Sequence, residues 1–454
     1  MKQFTLLSLF VTLCIVFACN KKDATDTTCG PDSTAFKQAI VWMPTNPADS
    51  TATVDSLKRA GLQITATCPC NQSLQLWGAD TPIFGNEGPD GDKRKPKGGS
   101  GGSLGALNIS PNYEIAAPVA SGFTFNWENI KPPITGKVKN DAIIIGVIDS
   151  GLDNKMNSTV PFWVNANERG GDEDRNGLRG DINGWDFTTL SATSSGSHDF
   201  QKDESQHGTV VTAFIAEELQ NAPYQVMPIK ILDKDKKGRL FNAICAMEYA
   251  RQQITKRNTQ GILNLSWGYY DLPSTALDTM LQKLQKDNIV VVAAAGNEDT
   301  AADRCETAAD KRNLSKRTYK FYPAAYNFDN LIVATTLTSK QSSKDTYGNS
   351  LAPAPNQNYS NEFVDIGVVA DTSYEFYLPY TKKKQKSWGS SFAAPIVTAQ
   401  VAKAINGGVR QANKNPIFVW LTKNPVTGTK YVGKDSSLND KIKDGKITKR
   451  GIKP

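Results

Sequence analysis

The sequence predicts an α/β fold: a doubly wound, mainly parallel sheet with helices on both faces, preceded by a small α+β unit. Two observations carry this. Near-continuous apolar runs recur beyond residue 142, the pattern of strands buried on both faces. Segments with helical apolar spacing separate them, the alternation that builds a parallel sheet.

The first elements lie between Phe36 and Ala79, where "QAIVWMP", "ADSTATVDSLKRAG" and "QSLQLWGA" read as strand, helix and strand. The unit, assigned to residues 19–84, is too small to enclose a substrate cleft. The stretch "GNEGPDGDKRKPKGGSGGSLG" follows, and its glycine and charge without apolar periodicity predict a protease-accessible linker over 85–116. A large domain over 117–412 then carries the strands "AIIIGVID", "YQVMPIKIL", "ILNLSW", "IVVVAAAG" and "LIVATTL". The amphipathic segments "NAICAMEYARQQITKR" and "TALDTMLQKLQKD" supply helices, and 413–454 reads as a basic extension.

With 454 residues, 39% of them hydrophobic, the chain can bury at least one large core. The net charge of +7 reflects a slight excess, 52 basic against 45 acidic residues, spread over loops and the C-terminal segment. Without a basic stripe interleaved with aromatics, nucleic acid is not an expected partner.

Residues 1–18 read as a secretory signal, with Lys2 followed by an apolar run from Phe4 to Ala18 that is too short to span a bilayer. "VFAC" resembles a bacterial lipobox, which implies lipidation of Cys19, a membrane partner, and an exported, cell-envelope protein. Setting aside Cys14 and Cys19 leaves Cys29, Cys68, Cys70, Cys245 and Cys305. A bridge from Cys29 to Cys68 or Cys70 is an expectation, and none of the five is expected to be catalytic.

Four positions could carry chemistry. Asp149 ends the strand in "IIIGVIDSGLD", where open α/β sheets place functional acids, although a strand-end Asp also forms turns. Of two histidines, His198 lies in a polar loop, whereas His207 opens the helix of "QHGTVVTAFIAEEL". The helix dipole disfavours positive charge there, which suits the ring to accept a proton. Asn297 follows a buried strand in "VVVAAAGNED" and can donate to developing negative charge. In "KSWGSSFAAPIVTA", Ser390 and Ser391 read first as helix caps, and as a nucleophile only if the rest of the chain supplies a base, an orienting acid and an oxyanion site.

Together the blocks "VIDSG", "HGT", "LNLSWG", "AAGN" and "GSSFAAP", in that order, resemble the subtilisin-like serine proteases, the subtilases. The resemblance implies that Ser391 is the nucleophile, His207 its base, Asp149 the acid orienting the base, and Asn297 an oxyanion donor. It implies one wall of a substrate channel from Ser266, Trp267 and Gly268 and another from Ala294, Ala295 and Gly296. A monomeric serine endopeptidase acting on proteins or peptides follows, with no cofactor required for its chemistry. The first unit then corresponds to an inhibitory prosegment, with self-cleavage in or after the linker freeing the protease from its lipid anchor. "TKKKQK" before the nucleophile would favour acidic substrates. "GGDEDRNGLRGDING" offers Asp172, Asp174, Asn176 and Asp181 as calcium ligands, although Asn183 stands where a calcium loop closes with Glu. Two rival readings remain: a non-cutting peptide-binding lipoprotein, and an α/β-hydrolase, the latter disfavoured because the serine lacks a second glycine and follows both acid and base.

Overall fold

The computed structural model describes residues 36–84, 104, 107–117, 142–157, 159–191, 193–220, 222–300, 302–338, 351–381 and 385–451. Cys19, Cys29, nearly all of the glycine-rich stretch and Lys382 to Lys384 lie outside them.

The first unit contains β1 (Gln38–Trp42), α1 (Pro47–Arg59), β2 (Gln63–Cys68), β3 (Asn71–Gly78) and β4 (Ile109–Pro111), with its antiparallel sheet in the order β2-β3-β1-β4. Asn46 caps α1 by accepting from the Ala48 N–H at 2.9 Å, and Pro47 fits the first turn because it has no N–H to lose there. Two strands were not legible. "QITATC" is exposed over its first half and shows no apolar run, and β4 falls inside the expected linker.

The rest of the chain runs β5 (Glu114–Ala116), β6 (Ile143–Asp149), β7 (Trp185–Asp186), α2 (His207–Glu218), β8 (Tyr224–Lys230), β9 (Lys237–Arg239), α3 (Leu240–Lys256), β10 (Gly261–Leu265), β11 (Tyr269–Asp271), α4 (Thr275–Lys286), β12 (Ile289–Ala294), β13 (Lys320–Tyr322), β14 (Leu331–Leu337), β15 (Ile366–Val369), β16 (Phe376–Tyr377), β17 (Lys386–Ser387), α5 (Ser390–Asn406), α6 (Lys414–Thr422), β18 (Gly433–Lys434) and β19 (Lys446–Lys449). Nine of these strands form one sheet, β18-β19-β15-β14-β12-β10-β6-β8-β7, parallel except for the β18–β19 pair.

The pleat divides the core in two. On β6, Ile144 and Ile148 face α3 and α4, whereas Ile143, Ile145 and Val147 face α2 and α5. Each such side chain contributes about 1.5–3 kcal/mol by leaving water, so the register of β6 is strongly held. The first unit packs on the α3 and α4 side: Trp42 Nε1 donates to Ala276 O at 3.1 Å, and Asn71 Nδ2 to Glu248 Oε1 at 2.8 Å. A disulfide joins Cys68 to Cys245 on α3, with Cα atoms 5.6 Å apart. Docking of the unit onto α3 thus brings together two cysteines far apart in sequence, in place of the expected bridge from Cys29.

Beyond residue 413 the chain is no appendage to the sheet. β19 lies parallel beside β15, and Gln400 Nε2 on α5 donates to Thr448 Oγ1 of β19 at 2.7 Å.

Candidate active site

Asp149 ends β6 with no exposure to solvent, and its Oδ1 accepts the Ser150 N–H at 2.7 Å. The same oxygen lies 2.7 Å from Nδ1 of His207, the first residue of α2. With Nδ1 engaged, Nε2 is the nitrogen left for proton transfer, and it is buried without a hydrogen-bond partner among the described residues.

A second carboxylate fixes this corner. Asp203 Oδ2 accepts from Thr209 N at 2.8 Å and Thr209 Oγ1 at 2.6 Å, while its Oδ1 accepts from Ser150 Oγ at 2.9 Å. Ser150 Oγ in turn accepts the Gly208 N–H at 2.8 Å. The end of β6 and the first turn of α2 are thereby one hydrogen-bonded unit. Burial pushes the Asp203 carboxyl up to about 6, against the pull of its Thr209 and Ser150 bonds. Gly208 is required here, since a Cβ would stand 2.3 Å from Gly151 O.

Gly389, at φ +140° and ψ 145°, turns the chain into α5 in a conformation open to glycine alone. Ser391 follows in the first turn, its Oγ donating to Ser266 O at 3.1 Å. Ser266 Oγ donates back to Ser391 O at 2.9 Å, and it accepts from Asn264 Nδ2 at 3.0 Å. Phe392 sets its ring 5.8 Å from that of His207 and 5.7 Å from that of Phe214, which brings the two helices together behind the site.

Ser390 has a separate task. Its N–H donates to Asn297 Oδ1 at 3.0 Å, which fixes the oxygen end of that amide, and its Oγ both accepts from Gly296 N and donates to Gly296 O at 3.0 Å. Asn358 Nδ2 bonds Ala295 O at 2.9 Å and Tyr270 Oη at 2.6 Å, and Tyr270 Oη reaches Asn297 O. The backbone of Ala294, Ala295 and Gly296 is therefore braced from below, and the two alanine side chains are core.

Of the other expected wall, Trp267 is fully buried, in the core cluster that also holds Tyr113, Ile115 and Ala117. Gly268 does face a neighbour: its N–H and C=O pair with Ala116 at 3.0 and 2.8 Å. On its other edge β5 pairs antiparallel with β9, and the Ala117 N–H reaches Lys236 O at 3.1 Å. The segment from Glu114 to Ala117 thus lies between two walls, with Ile115 buried and Tyr113 stacked on Tyr269 at 4.5 Å. This strand was missed because it fell in the expected linker; the signal was the alternation in "YEIA".

His198 stands apart, edge-on to Trp185. In the acidic loop, carboxylate oxygens of Glu168, Asp172 and Asp174 lie within 4.8 Å of one another, and Asn176 Nδ2 donates to buried Asp181 at 2.9 Å. Burial foremost, reinforced by the neighbouring acids Asp174 and Glu168, pushes Asp181 up to about 7. Lys256 Nζ, 3.0 Å from Asp174, is a nearby cation. Glu168 was not anticipated, since it precedes the motif.

A buried parallel sheet with an acid at a strand end, a histidine and a serine at facing helix starts, defines a class of hydrolase scaffold. The model of the subtilase family, peptidase S8, matches residues 140–422, and the chain belongs to that family. It is a serine-type endopeptidase of the subtilisin-like kind. Over 346 residues it is 22% identical to the epidermin leader peptide-processing serine protease EpiP of Staphylococcus epidermidis, covering 67% of this chain and 68% of that one. Subtilisin-like protease 3 of Pseudogymnoascus destructans is 30% identical over 113 residues, covering 24% of this chain and 27% of that protein's length. Among solved structures, one of the subtilase cytotoxin SubAB assembly aligns at TM-score 0.42 and 18% identity over 68% of this chain and 87% of that one. The A-subunit of the AB5 toxin from E. coli aligns at TM-score 0.42 and 17% identity over 68% and 90%.

Proposed function

We propose that the protein hydrolyses peptide bonds through Ser391, His207, Asp149 and Asn297, and that it is made as a zymogen. The observation that carries this is the buried Asp149–His207 pair, whose geometry leaves Nε2 unpartnered. Ser391 Oγ leaves Ser266 O and turns to Nε2, which takes its proton as the oxygen attacks the peptide carbonyl. Asp149 holds the ring by Nδ1 and balances the imidazolium. Asn297 Nδ2 and the Ser391 N–H receive the oxyanion, a contribution of about 3–4 kcal/mol in such sites. His207 then protonates the leaving amine, and water repeats the sequence on the acyl-enzyme.

A strand held by backbone bonds between β9 and Gly268 is how an extended peptide would bind. Glu114 to Ala117 therefore occupies the substrate groove in cis, and the first unit is the inhibitory prosegment. Lipidated Cys19 would hold the precursor at a membrane.

The acidic loop fits a calcium ion. Glu168, Asp172, Asp174 and Asp181 supply hard oxygen donors, and a carboxylate as buried as Asp181 calls for a counter-charge. The ion would brace the loop and takes no part in the chemistry.

The test is covalent labelling by a fluorophosphonate, with the chain lacking residues 1–19 beside its Ser391→Ala form. Labelling that vanishes in the variant supports the reading; no labelling after removal of the first unit moves it to a peptide binder that does not cut. Trimming of Ser391→Ala at the wild-type site and rate would exclude self-processing.

A further inference from the structure

Cutting the backbone after Ala117 would leave the first unit joined to the protease, among the described residues, by one covalent link, Cys68–Cys245. Both sulfurs are fully buried where the end of β2 meets α3. Gln252 Nε2 closes the contact by donating to Cys70 O at 2.8 Å, and Ser110 Oγ meets Thr275 Oγ1 at 2.8 Å on the α4 side.

The occupant of the groove belongs to this unit. β4 pairs with β1, Asn112 Nδ2 donates to Gln38 Oε1 at 2.7 Å, and β5 begins two residues later. Loss of the unit and emptying of the groove are thus one event. A tethered inhibitor sits at an effective concentration of order millimolar, so a cut that leaves the tether intact scarcely dilutes it.

We propose that Cys68–Cys245 is a redox latch: after cleavage the N-terminal unit stays docked and inhibitory until a dithiol reductant opens the bond. The proposal rests on the reading of that unit as an inhibitory prosegment. It also means that cleavage alone does not free the protease from whatever anchors its N-terminus.

In the opening step a thiolate of the reductant attacks one sulfur of the bridge and expels the other as a thiol. The second thiol of the reductant then resolves the mixed disulfide. Cys68 and Cys245 each gain a proton and one of two electrons, and the reductant leaves as a cyclic disulfide. Cys70, with Sγ 3.3 Å from Cys68 Sγ, is the third thiol of the cluster; burial holds it protonated, so it does not exchange while the unit is docked.

The test places a site-specific protease sequence within residues 118–141 of the chain lacking residues 1–19, so that the cut does not depend on self-processing. After cutting, native gel filtration and fluorophosphonate labelling are followed with and without dithiothreitol. Expected is one co-eluting species that labels slowly, and with reductant two species and labelling faster by on the order of 100-fold. Cys245→Ser should separate on cutting alone; if it does not fold, the reductant arm on the wild-type chain decides. Separation of the cut wild-type chain without reductant, or continued docking after full reduction, overturns the latch. Equal labelling of docked and separated forms overturns the inhibitory reading instead, while gel filtration still reports the tether.

Discussion

The corner around His207 and the loop around Asp181 both gather buried polar groups, yet only the corner sets an acid at a strand end against a base at a helix start. At the corner, Asp149 has His207 at 2.7 Å, and Asp203 has hydroxyl donors on both oxygens and the Thr209 N–H on Oδ2. In the loop, Glu168, Asp172, Asp174 and Asp181 crowd together beside Lys256, and Asp181 is driven up to about 7. The difference teaches that a strand end and a helix start set an acid against a base, whereas the acids of the loop are held by backbone and amide donors and by Lys256.

The largest effect should fall on the corner. Ser391→Ala or His207→Ala should lower kcat by on the order of 10⁶-fold, the loss known for subtilisin, with the melting temperature nearly unchanged. A small loss in either would break the assignment. Asn297→Ala should lower kcat about 10²–10³-fold with little change in KM, again by the subtilisin precedent; a rise in KM alone would make it a binding group.

The loop should respond to calcium and not to substrate. Calcium at about 100 times its Kd adds roughly 2.7 kcal/mol of stability, so chelation should lower the melting temperature, and Asp181→Asn should blunt that response. An unchanged melting curve with chelator would remove calcium from the loop.

The smallest effect concerns Asp203. Its folded pKa, about 6, exceeds the ordinary 3.8, so between those values the folded state binds the extra proton. By linkage this group's contribution to stability declines as pH rises through that window. The unfolding free energy of wild type minus that of Asp203→Asn should therefore fall from pH 4 to pH 6 in denaturant titrations; a rise would reverse the sign.

What was legible in the sequence follows the same division. The five buried strands announced themselves because a sheet covered on both faces tolerates only apolar side chains, and Asp149 and Asn297 stood out as the first polar residues at their ends. Scarcity left two histidines, and the place at a helix start singled out His207. β4 and β5 were hidden in a polar stretch, since a short strand whose walls are backbone needs little apolar signal. Cys68 and Cys245 could not be paired, because the distance that matters arises only when the first unit docks on α3.

The bond from Gln400 to Thr448 reaches from the serine's own helix to β19, next to the edge of the sheet. Strands near an edge exchange their amide hydrogens first on warming. Melting there would cost α5 this bond while its packing on α2, β10, β12 and β14 persists, so activity should outlast the loss of the sheet's C-terminal strands.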